Sequence, residues 1–302
     1  MASRKDNSCG IEVQKGLITV AHYSAAENAV GSIVVNPFDE GEGRDGEASL
    51  REELSKITAA VDFKRRGIAV SLPAQYAIIK KLALDADERD PAGAILWELS
   101  QNIIGAIDDY SVDFEPLARQ ASQSMRYYLT VAYRTAYIEK LVGLLKAHKL
   151  SPHVIDLDIF ALVNVFESNY SECTASPALL LLGTDDKTDI VLTQGGTLLD
   201  YDVCRYGQSA IAPDDYATLL SDYCGRLFGA WGIQTPPLYC SGPLFSHQEY
   251  LESTAGKFGT AQLLDPFRKI TCRAANGEND MRALSPQLAV AVGLALRGQD
   301  GQ

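Results

Sequence analysis

The chain uses one local pattern twice, and a repeated supersecondary unit limits the available folds more than any other feature here. Cys9–Tyr23 reads as a strand, a tight turn at Gln14-Lys15-Gly16, and a second strand carrying Leu17, Ile18 and Val20. Ala178–Thr193 repeats it around the polar turn Gly183-Thr184-Asp185-Asp186-Lys187, and Gly195-Gly196 opens a further strand, Thr197–Val203. The repeat is weak, and the length of 302 residues suits two packed lobes.

Between the hairpins, Asn36–Ala48 collects Pro37, Gly41, Gly43, Gly46 and several acids, the composition of a solvated, mobile loop. Ser49–Ala60 has Leu50, Leu54 and Ile57 at helical spacing, with Ser49 and Glu52 as a capping box. Gly67–Leu72, Tyr76–Leu84 and Met125–Tyr133 are rich in branched and aromatic side chains and read as strands. Two helices lie among them. The first follows Asp90-Pro91 and turns Ile95, Leu96, Leu99, Ile103 and Ile107 inward. The second, Thr135–His148, does so with Tyr137, Ile138, Leu141, Val142, Leu144 and Leu145. Gly67–Leu150 is thus expected to form a compact α+β insert with Trp97 as a core anchor, and Asp156–Phe166 reads as a further apolar helix.

Composition narrows the function classes. Apolar residues make up 46% of the chain and charged residues 22%, which is ordinary globular material. Lys and Arg total 27 against 39 Asp and Glu, so the formal charge of −12 speaks against nucleic acid as a partner. Met1–Ser8 is polar with no apolar run behind it, which predicts no secretory signal. Ala283–Leu296 is broken by Pro286 and too short to span a bilayer, which needs about 20 residues. Six scattered cysteines without a C-x-x-C, and four histidines away from metal-ligand spacing, predict buried thiols in the reducing cytosol.

Backbone N–H groups exposed in a small-residue turn bind anionic oxygens, so two hairpin turns facing one cleft would make a phosphate clamp. Gly183 through Thr188 adds hydroxyls and the carboxylates of Asp185 and Asp186, suited to holding magnesium through water. Composition alone favours a plain polar hairpin turn. Leu238–Phe245 runs as a strand into the turn Ser241-Gly242-Pro243 and then a helix, either a nucleotide-facing helix start or ordinary turn chemistry. No P-loop, no G-x-G-x-x-G and no nucleophile triad is legible.

The order of these pieces resembles the PilM family of type IV pilus assembly proteins, members of the actin-like ATPase superfamily related to the cell-division protein FtsA. The resemblance covers nearly the whole chain. It is carried by Gly67-Ile-Ala-Val-Ser-Leu-Pro73 with Ile78-Ile-Lys-Lys-Leu82, Val112-Asp-Phe114, Val131-Ala-Tyr-Arg134, Val154-Ile-Asp-Leu-Asp-Ile-Phe-Ala-Leu162, Asp265-Pro-Phe267 and, most specifically, Ser285–Arg297 ending in Gly-Leu-Ala-Leu-Arg.

The resemblance implies an α/β, actin-like (ribonuclease H-like) fold of two lobes with a small α+β insert in the first lobe. Residues 1–66 and 151–176 would belong to the first lobe, 67–150 to the insert and 177–302 to the second lobe. It implies ATP or ADP with magnesium in the inter-lobe cleft, with Gly10, Glu12, Gly183, Thr184, Asp186, Lys187, Thr188, Ser241 and Gly242 as nucleotide contacts. Glu12 and Asp186 would hold the metal through water. Asp156 would either orient water as the catalytic carboxylate or cap its helix. The sequence departs from the family pattern in Glu12 and Gln14 at the first hairpin, where aspartate and glycine are usual. It departs again in Leu181 at the second hairpin and in Ser241 with Pro243 at the adenosine turn. The resemblance further implies a cytoplasmic scaffold held at the inner membrane by the N-terminal cytoplasmic peptide of a PilN-like protein, alongside other pilus assembly components, gripped between first lobe and insert. An active ATPase of the same fold is one alternative. A scaffold for type II secretion or cell division is another, and a small-molecule kinase is a third.

Overall fold

In the computed structural model, residues 7–39, 46–64, 66–117, 124–207, 211–273 and 277–298 are described. They divide into two units, Met1–Pro73 with His148–Gln302, and Ala74–Ala147.

The larger unit opens with β1 (Asn7–Gln14), β2 (Leu17–Ser24) and β3 (Ala29–Pro37), an antiparallel meander. The first two are the predicted hairpin. The third has no counterpart in the sequence reading, and residues 40–45 of the predicted loop lie outside the described residues. Helix α1 (Gly46–Ala60) buries Leu50, Leu54 and Ile57 as the spacing requires. It begins three residues before Ser49, so Ser49 and Glu52 sit inside the helix and are not its capping box. β4 (Gly67–Leu72) then pairs parallel with β1.

The smaller unit follows: β5 (Ile78–Asp85), α2 (Pro91–Ser100), β6 (Tyr110–Pro116), β7 (Met125–Arg134) and α3 (Thr135–Ala147). Its strands form an antiparallel sheet in the order β5-β7-β6. Asp90 caps α2 by accepting from the Gly93 N–H at 3.0 Å, and Pro91 occupies the first turn, where a missing N–H costs nothing. Ile95 and Leu99 of α2 pack on Leu84, Tyr128 and Ala132. The remaining sequence assignments to this core are corrected. Leu96 is 40% and Trp97 62% exposed, and Ile103 and Ile107 lie beyond the helix, which stops at Ser100, although Ile107 does pack against this core. On α3 only Leu144 and Leu145 are buried, while Tyr137 stacks on Tyr76 at the surface with ring centroids 6.3 Å apart.

Back in the larger unit, β8 (Val154–Leu157) adds parallel to β4, and α4 (Asp158–Asn169) follows. β4 therefore belongs to the first sheet and not to the insert, whose beginning moves from residue 67 to 74. Then come β9 (Ala178–Gly183), β10 (Lys187–Gln194), β11 (Thr197–Arg205), α5 (Pro213–Trp231), β12 (Leu238–Ser241), α6 (Gln248–Phe258), β13 (Ala261–Leu263), β14 (Thr271–Cys272) and α7 (Gly277–Arg297).

The repeat now has a structural form. The first sheet runs β14-β3-β2-β1-β4-β8 and the second β11-β10-β9-β12-β13. Each is an antiparallel meander whose first strand continues into parallel strands on its other side. The second sheet buries Leu179, Leu181, Ile190 and Leu192 under Tyr216, Leu220 and Cys224 of α5. α7 packs on β1, β2 and β4 and crosses α4. At that crossing Gly293 meets Ala161 so closely that a Cβ on Gly293 would lie 1.9 Å from the Ala161 carbonyl oxygen. Four of the six cysteines are buried as expected, whereas Cys173 and Cys272 are partly exposed.

Candidate functional site

The site is set by the two-residue alternation of β10. Thr188, Ile190 and Leu192 point into the core under α5, where the Thr188 hydroxyl lies 3.0 Å from the Tyr216 hydroxyl. Lys187 and Asp189 consequently point out of the opposite face. Both are buried there and form an ion pair through Nζ and Oδ2, while the Tyr201 hydroxyl on β11 donates to Asp189 Oδ1 at 2.6 Å. Burial, with Asp189 as the next cause, pushes the Tyr201 phenol far above its ordinary range, so it stays a donor.

The first sheet contributes Glu12 on β1, which is fully buried. Gln14 Nε2 donates to its Oε1, while Oε2 has no hydrogen-bond partner. Thr19 lies directly opposite on β2, and its hydroxyl also lacks a partner. Burial pushes the Glu12 carboxyl up to about 8. The Gln14 hydrogen bond opposes that shift, Asp158 adds to it and Lys187 opposes it. Asp158, buried at the start of α4, accepts from the Ile159 N–H at 2.8 Å. Its charge acts on both Glu12 and Tyr201. Asp158 and Lys187 thus act electrostatically on Glu12, and Asp189 and Asp158 on Tyr201, while the contact of Lys187 itself is with Asp189.

Other residues expected at the site are placed differently. A Cβ on Gly10 would lie 2.0 Å from the Ala291 carbonyl oxygen, so Gly10 admits α7 against β1. Gly183 packs on Phe245 and Leu244, which a Cβ would meet at 2.8 Å and 3.0 Å. Gly242, with φ +94°, lies against Gly183 itself, whose carbonyl oxygen a Cβ would meet at 2.2 Å. The Gly242 N–H donates to the Pro286 carbonyl at 2.6 Å, and the buried Ser241 hydroxyl has no partner.

In the β9–β10 turn the Thr184 N–H donates to the Lys187 carbonyl at 2.8 Å, and the Thr184 hydroxyl donates to Asp186 Oδ1 at 2.9 Å. Tyr206 closes the turn by donating to the Lys187 carbonyl at 2.7 Å. Thr184 is thus engaged within its own turn and the glycines in packing, whereas the Ser241 hydroxyl has no hydrogen-bond partner.

Asp156 requires a correction. It lies on β8 and not on a helix. α4 begins two residues later with no side-chain cap. Asp156 accepts from the Leu157 N–H at 2.9 Å and pairs with Arg297 Nε at 3.6 Å, tying β8 to the end of α7.

Magnesium fits these residues poorly. Glu12 is mainly protonated at neutral pH, Asp186 is held inside its own turn, and Lys187 supplies a positive charge beside Glu12. Among the described residues no group of three or more His, Cys, Asp or Glu is placed to hold a metal. Sequence reasoning missed Thr19, Asp158, Asp189 and Tyr201. For Asp189 a signal existed: in a strand, Lys187 and Asp189 must share a face.

A family model described as "Type IV pilus assembly protein PilM" matches residues 16–178, just over half of the chain. The protein belongs to the PilM family. No curated protein matches the sequence. Among solved structures, the chain is similar to one from the PilM–PilN type IV pilus biogenesis complex, with TM-score 0.80 and 18% identity over 97% of this chain and 98% of that one. The cytoplasmic domain of EpsL, an inner-membrane component of the type II secretion system of Vibrio cholerae, gives TM-score 0.52 and 16% identity over 78% of this chain and 82% of that one. A protein of actin-like ATPase fold from Bacteroides thetaiotaomicron gives TM-score 0.53 and 12% identity over 93% and 96%. The fold of this PilM-family chain is actin-like, and among its described residues no helix is long and apolar enough to cross a membrane.

Proposed function

We propose that this protein is a cytoplasmic scaffold of type IV pilus assembly that docks the N-terminal cytoplasmic peptide of a PilN-like inner-membrane protein and is held at the membrane through it. The observation that carries this reading is the family match, joined to likeness over 97% of the chain to the structure of a PilM–PilN complex. The engaged state of the cleft supports a structural role over a catalytic one. The glycines are packing contacts, Thr184 is bonded within its own turn, and Asp156 is paired with Arg297. On this reading ATP or ADP with magnesium is not turned over, and the α+β insert is a separate module of the first lobe. An apolar peptide seated in a preformed groove needs no chemistry from its host.

The test is a binding titration of purified full-length protein with a fluorescently labelled peptide covering the cytoplasmic N-terminus of the PilN-like protein from the same genome. Saturable binding at micromolar concentration, absent with a scrambled peptide, is the expected result. Equal affinity for both peptides, or none for either by folded protein, refutes the reading.

A further inference from the structure

Large apolar side chains of the smaller unit are left in solvent on α2 and just beyond its end: Leu96, Trp97 and Ile104, the last 82% exposed. Ile95 and Leu99 fill the narrow stripe of α2 that faces the sheet, so Leu96 and Trp97 are turned away from it. A single exposed apolar residue is ordinary. An open tryptophan flanked by two more such residues in so short a stretch marks a surface for a partner.

The backbone that carries these side chains is fixed in advance. At the end of α2 the Trp97 carbonyl accepts from the Ser100 hydroxyl at 2.6 Å and the Glu98 carbonyl from Asn102 Nδ2 at 2.8 Å, while the Leu99 carbonyl accepts from the Asn102 N–H at 2.8 Å. Beyond the helix, the Ile104 carbonyl accepts from both the Tyr110 hydroxyl and Arg134 Nη2, each at 3.2 Å. Ordering cost that a mobile loop would meet on binding has therefore already been met in folding.

Charge selects what binds. Residues 96–109 contain Glu98, Asp108 and Asp109 and no lysine or arginine. Asp108 and Asp109 are exposed, and Asp109 Oδ2 lies beside Gly105, 3.4 Å from where a Cβ would stand. Arg134 is drawn onto the protein itself, with Nη2 on the Ile104 carbonyl and its guanidinium carbon 5.1 Å from the centre of the Tyr110 ring. A second copy of this chain, formally −12, would bring the same acids into a two-fold contact, and an anionic lipid surface is repelled likewise.

We propose that Leu96, Trp97 and Ile104 form a second docking surface, for a protein segment whose apolar stripe is bordered by lysine and arginine, the pattern of a basic amphipathic helix. The stripe covers the three apolar side chains, and the basic border meets Glu98, Asp108 and Asp109. The inference does not rest on the PilN-peptide reading, and the two are tested apart.

The probe is a helical peptide of leucine and lysine, titrated into full-length protein beside a peptide of the same pattern with glutamate for lysine. The Leu/Lys peptide is expected to bind at micromolar concentration, to shift the Trp97 emission to the blue and to weaken as salt rises; the Leu/Glu peptide should not bind. By calorimetry Trp97→Ala is expected to weaken the Leu/Lys peptide about 10-fold or more, as loss of a central tryptophan does. Asp108→Asn with Asp109→Asn should weaken it several-fold and flatten the salt dependence. Both variants should melt like wild type, since the altered side chains are exposed, and should bind the labelled PilN-like peptide as wild type does.

No binding of the Leu/Lys peptide overturns the proposal, as does equal binding of both peptides or an undiminished affinity in Trp97→Ala. So does stronger binding to phosphatidylglycerol vesicles than to the Leu/Lys peptide, or a Trp97-dependent dimer in sedimentation. Loss of the PilN-like peptide in folded Trp97→Ala would make this the first docking surface and not a second, which also overturns it.

Discussion

Gly293→Ala should destabilise the protein even though the same change elsewhere in a helix stabilises. In an exposed helix interior, replacing glycine by alanine gains roughly 0.5–1 kcal/mol, because the unfolded chain loses less freedom on folding. At Gly293 the new methyl would lie 1.9 Å from the Ala161 carbonyl oxygen and 2.7 Å from its carbon. Both are backbone atoms, so no side chain can swing away. To reach even 3.0 Å, α4 and α7 must part by about 1 Å along that contact, which loosens the buried row Leu288–Ala295. Overpacking of this kind costs about 1–3 kcal/mol and sometimes more. The net expectation is a loss of about 1–2 kcal/mol, or roughly 2–8 °C in melting temperature. Gly225→Ala is the internal control, since Gly225 lies within α5 and a Cβ there meets nothing within 4 Å. Urea unfolding of the two variants beside wild type reads the difference. A Gly293→Ala protein as stable as Gly225→Ala would refute the close crossing.

The remaining predictions follow from single contacts. Gly242→Ala places a methyl both against the Gly183 carbonyl and at φ +94°, so it should cost about 3 kcal/mol or more in urea unfolding; a near-neutral result would remove the packing role given to both glycines. The Glu12 carboxyl titrates at about 8 in the folded protein and near its ordinary 4.5 unfolded, so the folded state holds the extra proton between those values. Stability from this group is therefore complete below pH 4.5 and falls as pH rises toward 8, with a slope of at most about 1.4 kcal/mol per pH unit. Glu12→Gln should flatten that part of the pH profile, and parallel profiles for the two proteins would contradict it. Asp90→Ala removes the cap of α2 and should cost about 1 kcal/mol; hydrogen exchange should show the loss in α2 and leave α5 protected as before.

The sequence told more about elements than about their facing. Both hairpins were visible because alternation and turn residues are local signals. So was the last helix, whose apolar density survives Pro286. β8 was not, because four residues of strand, Val154–Leu157, run directly into α4 without a turn or a capping side chain. From sequence alone Asp156 consequently reads as helical, although it lies on β8. Helix α5 has Pro213 at its start and left-handed Gly232 at its end, both local signals of helix boundaries. Trp97 was assigned to a core because it is large and apolar, yet a short helix covers a three-stranded sheet with one narrow stripe, and Ile95 and Leu99 fill it. At the site, Glu12 and Lys187 were picked out from family likeness. The Lys187–Asp189 pair follows from strand alternation, whereas no local pattern encodes the burial of Glu12 on the other sheet. The glycines were recognised as special, but the chain alone does not say whether a glycine makes room for a ligand or for Phe245.

The insertion of a whole unit between β4 and β8 bears on how the protein reaches its fold. These strands pair parallel, so Ala69 must find Val154 across an intervening stretch of chain. For a flexible loop of that length the length-dependent part of the closure entropy is on the order of 4 kcal/mol, which makes such pairing a late and slow event. Within the insert, β5 is paired along its length with β7, and Tyr76 stacks on Tyr137 near the two ends of the unit. Once these contacts form, residues 76–137 are bypassed and the effective loop between β4 and β8 shrinks to about 20 residues, half of them within α3. The insert is therefore expected to fold first and to act as an internal clasp that speeds completion of the first sheet. Loosening the β5–β7 pairing should then slow refolding of the larger unit without weakening any contact inside it.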